Sequence, residues 1–282
     1  MTVQELNETD IQNMLPDRKP DTHKGDYGRV LLLCGSRGYT GAAALAAMGA
    51  LRCGAGLVYL AVPESIYAIE AVKVTEPVVL PMPDKDGMFA TDTKEQLKKL
   101  LPKMDAVLVG PGIGCSDGTY ETVKFILEEY PGPVVLDADG INVLQHHIDV
   151  LRGRTNPTVL TPHMGEFARV LGNTTEDRLS AAVHFASETG TILLLKGNRT
   201  IVTDGNEVYI NPTGNPGMAV GGSGDVLSGI ITALLGLKIL PLQAAACGAW
   251  LHGAAGDICA KEIGQYGMIP TDMLQVLPRL LK

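Results

Sequence analysis

A glycine-rich segment, Asn215-Pro-Gly-Met-Ala-Val-Gly-Gly-Ser-Gly-Asp225, leads directly into the apolar run Val226-Leu-Ser-Gly-Ile-Ile231. The apolar run is typical of a buried helix. The small residues at 221–224 are predicted to take backbone angles closed to bulkier side chains, so that successive N–H groups converge where the helix begins. Unpaired N–H groups and the positive end of a helix dipole attract phosphate. The segment therefore predicts an anion hole. It is not a Walker A loop, because no Lys-Ser or Lys-Thr pair follows the glycines.

Asp225 lies in the first turn of this predicted helix and has two interpretations. As a helix cap, its carboxylate would pair with one unpaired N–H group, which is a common role for Asp at a helix start. As a catalytic base, it would lie beside the anion hole and take a proton from an attacking hydroxyl. The segment alone does not decide between the two.

Charge and composition exclude several classes of protein. The chain has 282 residues, with 23 Lys and Arg against 31 Asp and Glu, no cluster of basic residues and only 5% aromatic residues, which argues against nucleic acid as a partner. No stretch is long and apolar enough to span a membrane, and Met1–Glu8 lacks the apolar core of a signal peptide. The five cysteines are widely spaced without a Cys-x-x-Cys pair, as in a reduced compartment. We expect a cytoplasmic protein without nucleic-acid or membrane partners.

Short continuous apolar runs alternate with helical segments along the chain. Strands are predicted at 29–35, 56–62, 77–80, 105–110, 134–136, 158–160 and 192–196, and helices at 8–16, 42–53, 64–73, 92–101, 117–130, 140–146, 174–189, 225–236, 241–262 and 271–281. Unbroken apolar strands at this spacing indicate parallel strands joined by helical crossovers. An antiparallel hairpin is predicted at 201–210 around Asp204-Gly-Asn206. The fold class is therefore α/β, with a central mostly parallel sheet flanked by helices on both faces, in a single domain over 1–282.

Polar residues follow several predicted strands, where the loops of a parallel sheet line a ligand crevice. Asp139 and Asn142 could both face a metal-bound or phosphate-bound water, or Asp139 could simply cap a helix. Glu166 either holds Mg²⁺ through water or is a first-turn acid favoured by the helix dipole. His163 has no second His or Cys at ligand spacing, which argues against Zn²⁺. A contact with the ring or amide of a ligand is its candidate functional role, and the residues leave that role open. Lys196 either meets a nucleotide phosphate or is a solvated strand end.

Five segments together resemble the ribokinase-like NAD(P)H-hydrate dehydratases. They are Gly110-Pro-Gly-Ile-Gly114, Asp137-Ala-Asp-Gly-Ile-Asn142, Thr161-Pro-His-Met-Gly-Glu166, Lys196-Gly-Asn-Arg-Thr200 and Gly221-Gly-Ser-Gly-Asp225. The resemblance runs from about residue 24 to the C-terminus, and the combination is far more specific than any one segment. It implies a ribokinase-like fold and an enzyme that repairs hydrated NADH and NADPH, with Mg²⁺ as cofactor and ADP or ATP as phosphate donor.

The resemblance also implies a role for individual residues. Asp225 would take the proton of the hydrate hydroxyl, and the phosphorylated intermediate would then eliminate phosphate. The hydrated dinucleotide would contact Ala42, Gly114, His163 and Asp225. The adenine nucleotide would contact Lys196, Gly197, Asn198, Arg199, Thr200 and Gly224. To these roles the residue patterns described above add the predicted anion hole, Gly221, Gly222, Ser223 and Gly224, and the predicted metal site, Glu166 with Asp139 and Asn142. His163 stands where the wider ribokinase-like kinases have the Asn of an Asn-x-x-Glu motif, a departure that bears on the metal role of Glu166.

Some relatives have an N-terminal epimerase domain, for which this sequence is expected to have no room. The lack of a fused domain and of a targeting segment favours ADP as the phosphate donor. We also expect a homo-oligomer, of an order that the residues do not specify.

Two other functions use the same motifs. A small-alcohol kinase of the hydroxyethylthiazole kinase type would use the same anion hole and stop at the phosphate ester. His163 and the Gly110–Gly114 loop favour the larger dinucleotide instead. A nucleotide sensor without catalysis is the third alternative, against which the presence of Asp225 beside an intact glycine loop argues.

Overall fold

The computed structural model describes residues 2–171 and 177–281. The strands over these residues are β1 (Thr2–Glu5), β2 (Arg29–Leu33), β3 (Leu57–Pro63), β4 (Val78–Met82), β5 (Asp84–Lys85), β6 (Met88–Phe89), β7 (Ala106–Val109), β8 (Val134–Leu136), β9 (Thr158–Leu160), β10 (Ile192–Leu195), β11 (Ile201–Thr203) and β12 (Glu207–Ile210).

The α-helices over the same residues are α1 (Glu8–Met14), α2 (Thr40–Arg52), α3 (Glu64–Lys73), α4 (Thr93–Leu100), α5 (Asp117–Glu129), α6 (Asp139–Asn142), α7 (Asp149–Arg152), α8 (Met164–Leu171), α9 (Arg178–Thr189), α10 (Ser223–Gly236), α11 (Pro241–Glu262) and α12 (Pro270–Val276). None of these described helices is long and apolar enough to cross a lipid bilayer.

One large sheet has the strand order β1-β12-β11-β10-β9-β8-β7-β2-β3-β4, while β5 and β6 form a small hairpin. The strands from β10 to β4 in that order pair in parallel, and β11 runs antiparallel to both of its neighbours. The mostly parallel sheet and the hairpin at 201–210 are thus confirmed.

The chain reverses its direction of travel across the sheet beside β2. It moves outward through β3 and β4, then returns to β7 on the other side of β2 and continues to β10. Loops at such a reversal diverge and leave a crevice at the carboxyl ends of the strands. Here the Gly35 N–H donates to the Pro111 carbonyl at 2.7 Å, so the loops after β2 and β7 touch at the base of that crevice.

Two apolar cores cover the two faces of the sheet, as predicted. Residues of α1, α2, α10 and α11 form one core, and residues of α4, α5, α8 and α9 contribute to the other. The close packing of α2 against α10 depends on glycine, because a Cβ on Gly49 would lie 2.6 Å from the Val226 carbonyl oxygen and one on Gly229 would lie 2.1 Å from that of Ala46. The first turns of α10, which contain Asp225, are therefore held against the middle of α2, the helix that follows β2.

Most predicted elements form, but two predicted helices are shorter than expected. The helix predicted at 140–146 ends at Asn142, because the N–H groups of Leu144 and Gln145 donate to carbonyls three residues back and no longer four. His146 follows with a φ of 70°, outside the right-handed helical region. The helix predicted at 271–281 gives way after Val276 to a 3₁₀ turn that contains Pro278, which has no N–H for an α-helical bond. The helix predicted at 174–189 forms over α9, and its part at 174–176 lies outside the described residues.

Candidate active site

The start of α10 has the backbone of an anion hole. Gly222 is the N-cap residue with a φ of 95°, and within the described residues no side chain caps this helix end. In the same part of the chain, four N–H groups have no backbone acceptor, those of Gly221, Gly222, Gly224 and Asp225. One expectation is corrected, because only Gly222 of the four small residues has a positive φ. Gly221, Ser223 and Gly224 have backbone angles that most residues can adopt. The anion hole therefore depends on the N–H groups without a backbone acceptor more than on the conformational freedom of glycine.

Asp225 does not cap this helix, so the capping interpretation is wrong. It occupies the third helical position, and the carboxylate has no reciprocal bond to the N-cap backbone in the described structure. Burial, together with the negative charge of Asp137, raises the pKa of Asp225 to about 6, and Lys196 opposes that rise. A base with a pKa near neutrality is well suited to proton transfer. The geometry and charge favour the catalytic interpretation.

Asp137, Lys196 and Thr161 form a buried polar cluster below the anion hole. Lys196 Nζ donates to Asp137 Oδ1 at 2.9 Å, and Thr161 Oγ1 donates to the same oxygen at 2.8 Å. Burial alone would lower the pKa of Lys196, but the Asp137, Glu166 and Asp225 carboxylates outweigh it and raise that pKa. Lys196 is therefore a fixed positive charge and not a solvated strand end.

Gly224 connects this cluster to the anion hole. A Cβ on Gly224 would lie 3.4 Å from Lys196 Nζ and 3.8 Å from Asp137 Oδ2. The ammonium thus lies against the backbone of the first helical turn, where the unpaired N–H groups are. Lys196 and these N–H groups together form one positively polarised site for an anion.

His163 and Glu166 form a capping box at the start of α8. The His163 Nδ1 accepts from the Gly165 N–H at 2.9 Å, and Glu166 Oε2 accepts from the His163 N–H at 2.9 Å. Because Nδ1 is an acceptor, a neutral His163 carries its proton on Nε2. That N–H belongs to a half-exposed ring that also lines the cavity described below, so a structural role and a ligand contact are compatible.

Asp139 and Asn142 bridge neighbouring loops. Asp139 Oδ2 accepts from the Gly114 N–H at 2.9 Å, and Asp139 Oδ1 accepts from Asn142 Nδ2 at 3.1 Å. Asn142 Oδ1 in turn accepts from Arg169 Nη1 at 2.6 Å. Asp139 is the first residue of α6 and not its N-cap, so the predicted capping role is wrong. These contacts favour a structural bridge, and the metal role of this pair stays a prediction.

A cavity of about 900 Å³ is lined in part by the start of α10, through Ser223 and Gly224, and by Lys196. Each residue predicted to bind the nucleotide lines it, namely Lys196, Gly197, Asn198, Arg199, Thr200 and Gly224. Arg199 has a positive φ of 55°, and its guanidinium forms an ion pair with Glu5 of β1. Because the guanidinium is paired with Glu5, we expect a ligand in the cavity to contact the backbone and the aliphatic part of Arg199 and not its charged group.

Ala42 and Gly114 lie at the crevice between β2 and β7 and do not line this cavity. The Ala42 methyl lies 3.0 Å from where a Cβ on Gly112 would be, and Ser36 Oγ donates to the Gly112 carbonyl at 2.7 Å. The Gly35–Ala42 turn and the Gly110–Gly114 loop are thus in contact. Burial, followed by the charges of Asp225, Asp137 and Glu70, raises the pKa of Cys34, the residue after β2. Asp225 itself does not line the cavity, although its chain neighbour Gly224 does.

Two carboxylates of the site face the same ammonium group. Asp137 Oδ1 lies 2.9 Å and Glu166 Oε2 lies 3.7 Å from Lys196 Nζ. Among the described residues, no three His, Cys, Asp or Glu side chains are placed to bind a metal directly. Mg²⁺ in proteins commonly keeps several waters and binds one or two carboxylates together with substrate phosphates. Glu166 and Asp137 match that donor set.

Asp137, Thr161 and His252 belong to the site although the sequence predicts no individual role for them. Asp137 is 1% exposed and directly follows β8, as Lys196 directly follows β10, so its position after a buried strand was the available signal. His252 is within α11, and its Nε2 lies 3.3 Å from Ser223 Oγ. Nothing in the local sequence indicates that contact, because it joins residues 29 positions apart.

Comparison with known proteins identifies the family. The family model for NAD(P)H-hydrate dehydratase matches residues 30–279. The bifunctional NAD(P)H-hydrate repair enzyme of Moorella thermoacetica is 48% identical over 96% of this chain and 52% of its own length. The chain thus spans about half the length of the curated relatives that it matches.

Two solved structures share the fold over nearly the whole chain. The ADP/ATP-dependent NAD(P)H-hydrate dehydratase from Bacillus subtilis, co-crystallised with ATP and Mg²⁺, has a TM-score of 0.83 at 30% identity, covering 97% of this chain and 96% of that one. A ribokinase-like superfamily protein from Enterococcus faecalis has a TM-score of 0.85 at 27% identity, covering 98% and 94%. The ribokinase-like fold is confirmed, and the chain belongs to the NAD(P)H-hydrate dehydratase family.

Proposed function

We propose that this chain removes water from hydrated NADH and NADPH in a reaction driven by an adenine nucleotide. The observation that carries the proposal is Asp225, a mostly buried carboxylate with a pKa of about 6 in the helix start whose Gly221, Gly222, Gly224 and Asp225 N–H groups have no backbone acceptor. A hydroxyl in the β2–β7 crevice and a phosphate in the cavity would both reach this residue. Family membership supports hydrated NADH and NADPH as the source of that hydroxyl.

The first step is proton transfer to Asp225. Its carboxylate takes the proton of the hydrate hydroxyl while the oxygen attacks the terminal phosphorus of the nucleotide. The new bond is the O–P bond to the hydrate, and the bond that breaks joins the phosphorus to the nucleotide's bridging oxygen. Lys196 and the N–H groups at the start of α10 stabilise the charge on the transferring phosphoryl group.

The second step is elimination of phosphate. The ring nitrogen, as part of an enamine, expels the phosphate from the adjacent carbon. The next carbon of the ring then loses a proton to the departing phosphate, which restores the ring double bond. The products are reduced nicotinamide dinucleotide, inorganic phosphate and the nucleotide shortened by one phosphate. An alcohol kinase would lack this step, because a simple phosphate ester has no adjacent nitrogen to expel it.

The two ligands would occupy the two sides of Asp225. The adenine nucleotide would lie in the cavity, against Lys196–Thr200 and Gly224. The hydrated ring would lie toward Ala42 and Gly114, with the Nε2–H of His163 available to an acceptor on either ligand. We propose ADP as the preferred donor. Mg²⁺, held through water by Glu166 and Asp137, would neutralise phosphate charge when bound.

The reaction itself is the first test. Purified protein with Mg²⁺ and hydrated NADH should restore the absorbance of reduced nicotinamide, with ADP and ATP assayed separately and hydroxyethylthiazole as the competing substrate. Release of phosphate in equal amount to NADH is expected. A stable phosphate ester of hydroxyethylthiazole, without recovery of NADH, would support the kinase instead. Lack of turnover in protein that binds nucleotide would favour a sensor.

The acid limb of the pH profile is the second test. Asp225 accepts the proton only when ionised, and its pKa is raised from 3.8 to about 6. We therefore expect kcat/KM for the hydrate to fall as the pH falls through about 6, well above the range where an ordinary Asp titrates. ADP binding, measured by calorimetry over the same range, is the control for a general loss of the nucleotide site. A kcat/KM that stays level down to the usual Asp range would contradict the assignment of Asp225 as the base.

Other expectations about the chain stay proposals. One continuous ten-stranded sheet supports a single domain. All five cysteines are free, four of them buried, which supports a reducing compartment and a cytoplasmic location. A homo-oligomer without nucleic-acid partners also remains a prediction.

A further inference from the structure

A buried Ser–His pair forms part of the cavity wall and has no role in the steps above. Ser223 and His252 are 8% and 7% exposed, and Ser223 Oγ lies 3.3 Å from His252 Nε2. Both residues line the cavity. Ser223 is the first residue of α10, so the pair lies at the same helix end as the unpaired N–H groups.

Ser223 can serve an anion only through its hydroxyl. Its backbone N–H donates to the Val220 carbonyl at 3.3 Å, unlike the N–H groups of Gly224 and Asp225, for which the described residues offer no backbone acceptor. A serine hydroxyl has one proton to donate and two lone pairs to accept with. The direction of that single proton decides whether Ser223 attracts or repels a phosphate oxygen.

His252 controls the direction because it is neutral and has one N–H. Burial lowers the pKa of His252 to about 4; a hydrogen bond with the Ser223 backbone opposes that fall, and the positive charge of Lys196 adds to it. With the proton on Nε2, the imidazole donates to Ser223 Oγ and leaves the hydroxyl proton for an acceptor in the cavity. With the proton on Nδ1, Nε2 accepts the hydroxyl proton and turns the oxygen lone pairs outward. An anion in the cavity stabilises the first arrangement, in which each hydrogen bond polarises the next.

We propose that His252 is a positioning residue that donates from Nε2 to Ser223 Oγ and so directs the Ser223 hydroxyl to a phosphate oxygen of the nucleotide. The hydroxyl then adds a side-chain donor to the backbone donors of the anion hole. This inference rests on the proposed function, since it places the nucleotide's phosphates at the start of α10.

The test compares nucleotide affinity in matched variants. Calorimetry with ADP and ATP should show about tenfold weaker binding for Ser223→Ala and for His252→Leu, which is the usual order for one hydrogen bond to a charged group. Adenosine, which has no phosphate, should bind all variants alike. His252→Gln keeps an N–H at similar reach and should restore most of the affinity. The double variant Ser223→Ala/His252→Leu should bind no more weakly than the worse single variant, because both remove the same donor.

Several outcomes would overturn the inference. Unchanged affinity for ADP and ATP in folded Ser223→Ala would do so, as would an equal loss for adenosine, which would indicate a reshaped cavity. Losses that add in the double variant would mean that the two residues act separately. If His252→Leu does not fold, Ser223→Ala and His252→Gln still decide. Wild-type protein that binds no nucleotide would overturn the proposed function as well, whereas wild-type binding with unaffected variants overturns this inference alone.

Discussion

Asp225→Asn is expected to lower kcat by about a hundredfold or more, while ADP and ATP bind as well as before. The amide has the size of the carboxylate but cannot accept the hydroxyl proton. Asp225 does not line the nucleotide cavity, so its replacement leaves the cavity intact. Steady-state kinetics with hydrated NADH and calorimetry with each nucleotide measure the two quantities.

The same substitution is expected to leave the melting temperature unchanged or to raise it. The folded-state pKa of Asp225 lies above its ordinary value because of burial and of Asp137. The contribution of this group to stability is therefore fully present below pH 3.8 and is lost as the pH rises through about 6. At neutral pH the ionised carboxylate disfavours the folded state, and the amide removes that cost.

Asp10→Asn is the matched control for the first prediction. Asp10 occupies the same third helical position in α1, where its carboxylate accepts from the Asn7 N–H at 3.0 Å in a capping box. We expect turnover to be unaffected by this change. Near wild-type kcat in Asp225→Asn would return Asp225 to a structural role despite its lack of a capping bond.

The elements that the sequence predicts best are continuous apolar runs bounded by glycine, proline or polar residues. The strands Val134–Leu136 and Thr158–Leu160 and the helix Pro241–Glu262 form with the predicted bounds. Each is an apolar run with clear limits. The sequence does not predict the strand Thr2–Glu5, because its four residues are exposed and form no apolar run. This strand forms by pairing with Glu207–Ile210, a segment about 200 residues away, so no local pattern indicates it.

In the candidate site, too, the residues with a local sequence pattern are predictable, and their contacts with distant residues are not. Lys196–Thr200 was predicted to bind the nucleotide and lines the cavity, since the end of a buried parallel strand fixes its location. The partners of these residues were not predictable. The Lys196–Asp137 ion pair joins the ends of β10 and β8, which are not adjacent in the sheet, because β9 lies between them. Strand order across a sheet has no signature in local sequence, so the charge that tunes Asp225 became visible only in the fold.

Gly222→Ala is expected to weaken ADP and ATP binding by at least tenfold and to lower the melting temperature. Gly222 has a φ of 95°, where a side chain costs about 1–2 kcal/mol, and its added Cβ would lie 2.4 Å from Leu45 Cδ1. Relief of either strain moves the N-cap of α10 and the N–H groups that follow it.

Gly221→Ala is the matched control, since a Cβ there meets nothing within 4 Å and no positive φ is involved. It should retain nucleotide affinity and stability. Leu45→Ala combined with Gly222→Ala removes the clash but not the backbone strain, so a partial recovery is expected. Equal losses for Gly221→Ala and Gly222→Ala, measured by calorimetry and thermal melting, would mean that the conformation of Gly222 does not determine the anion hole.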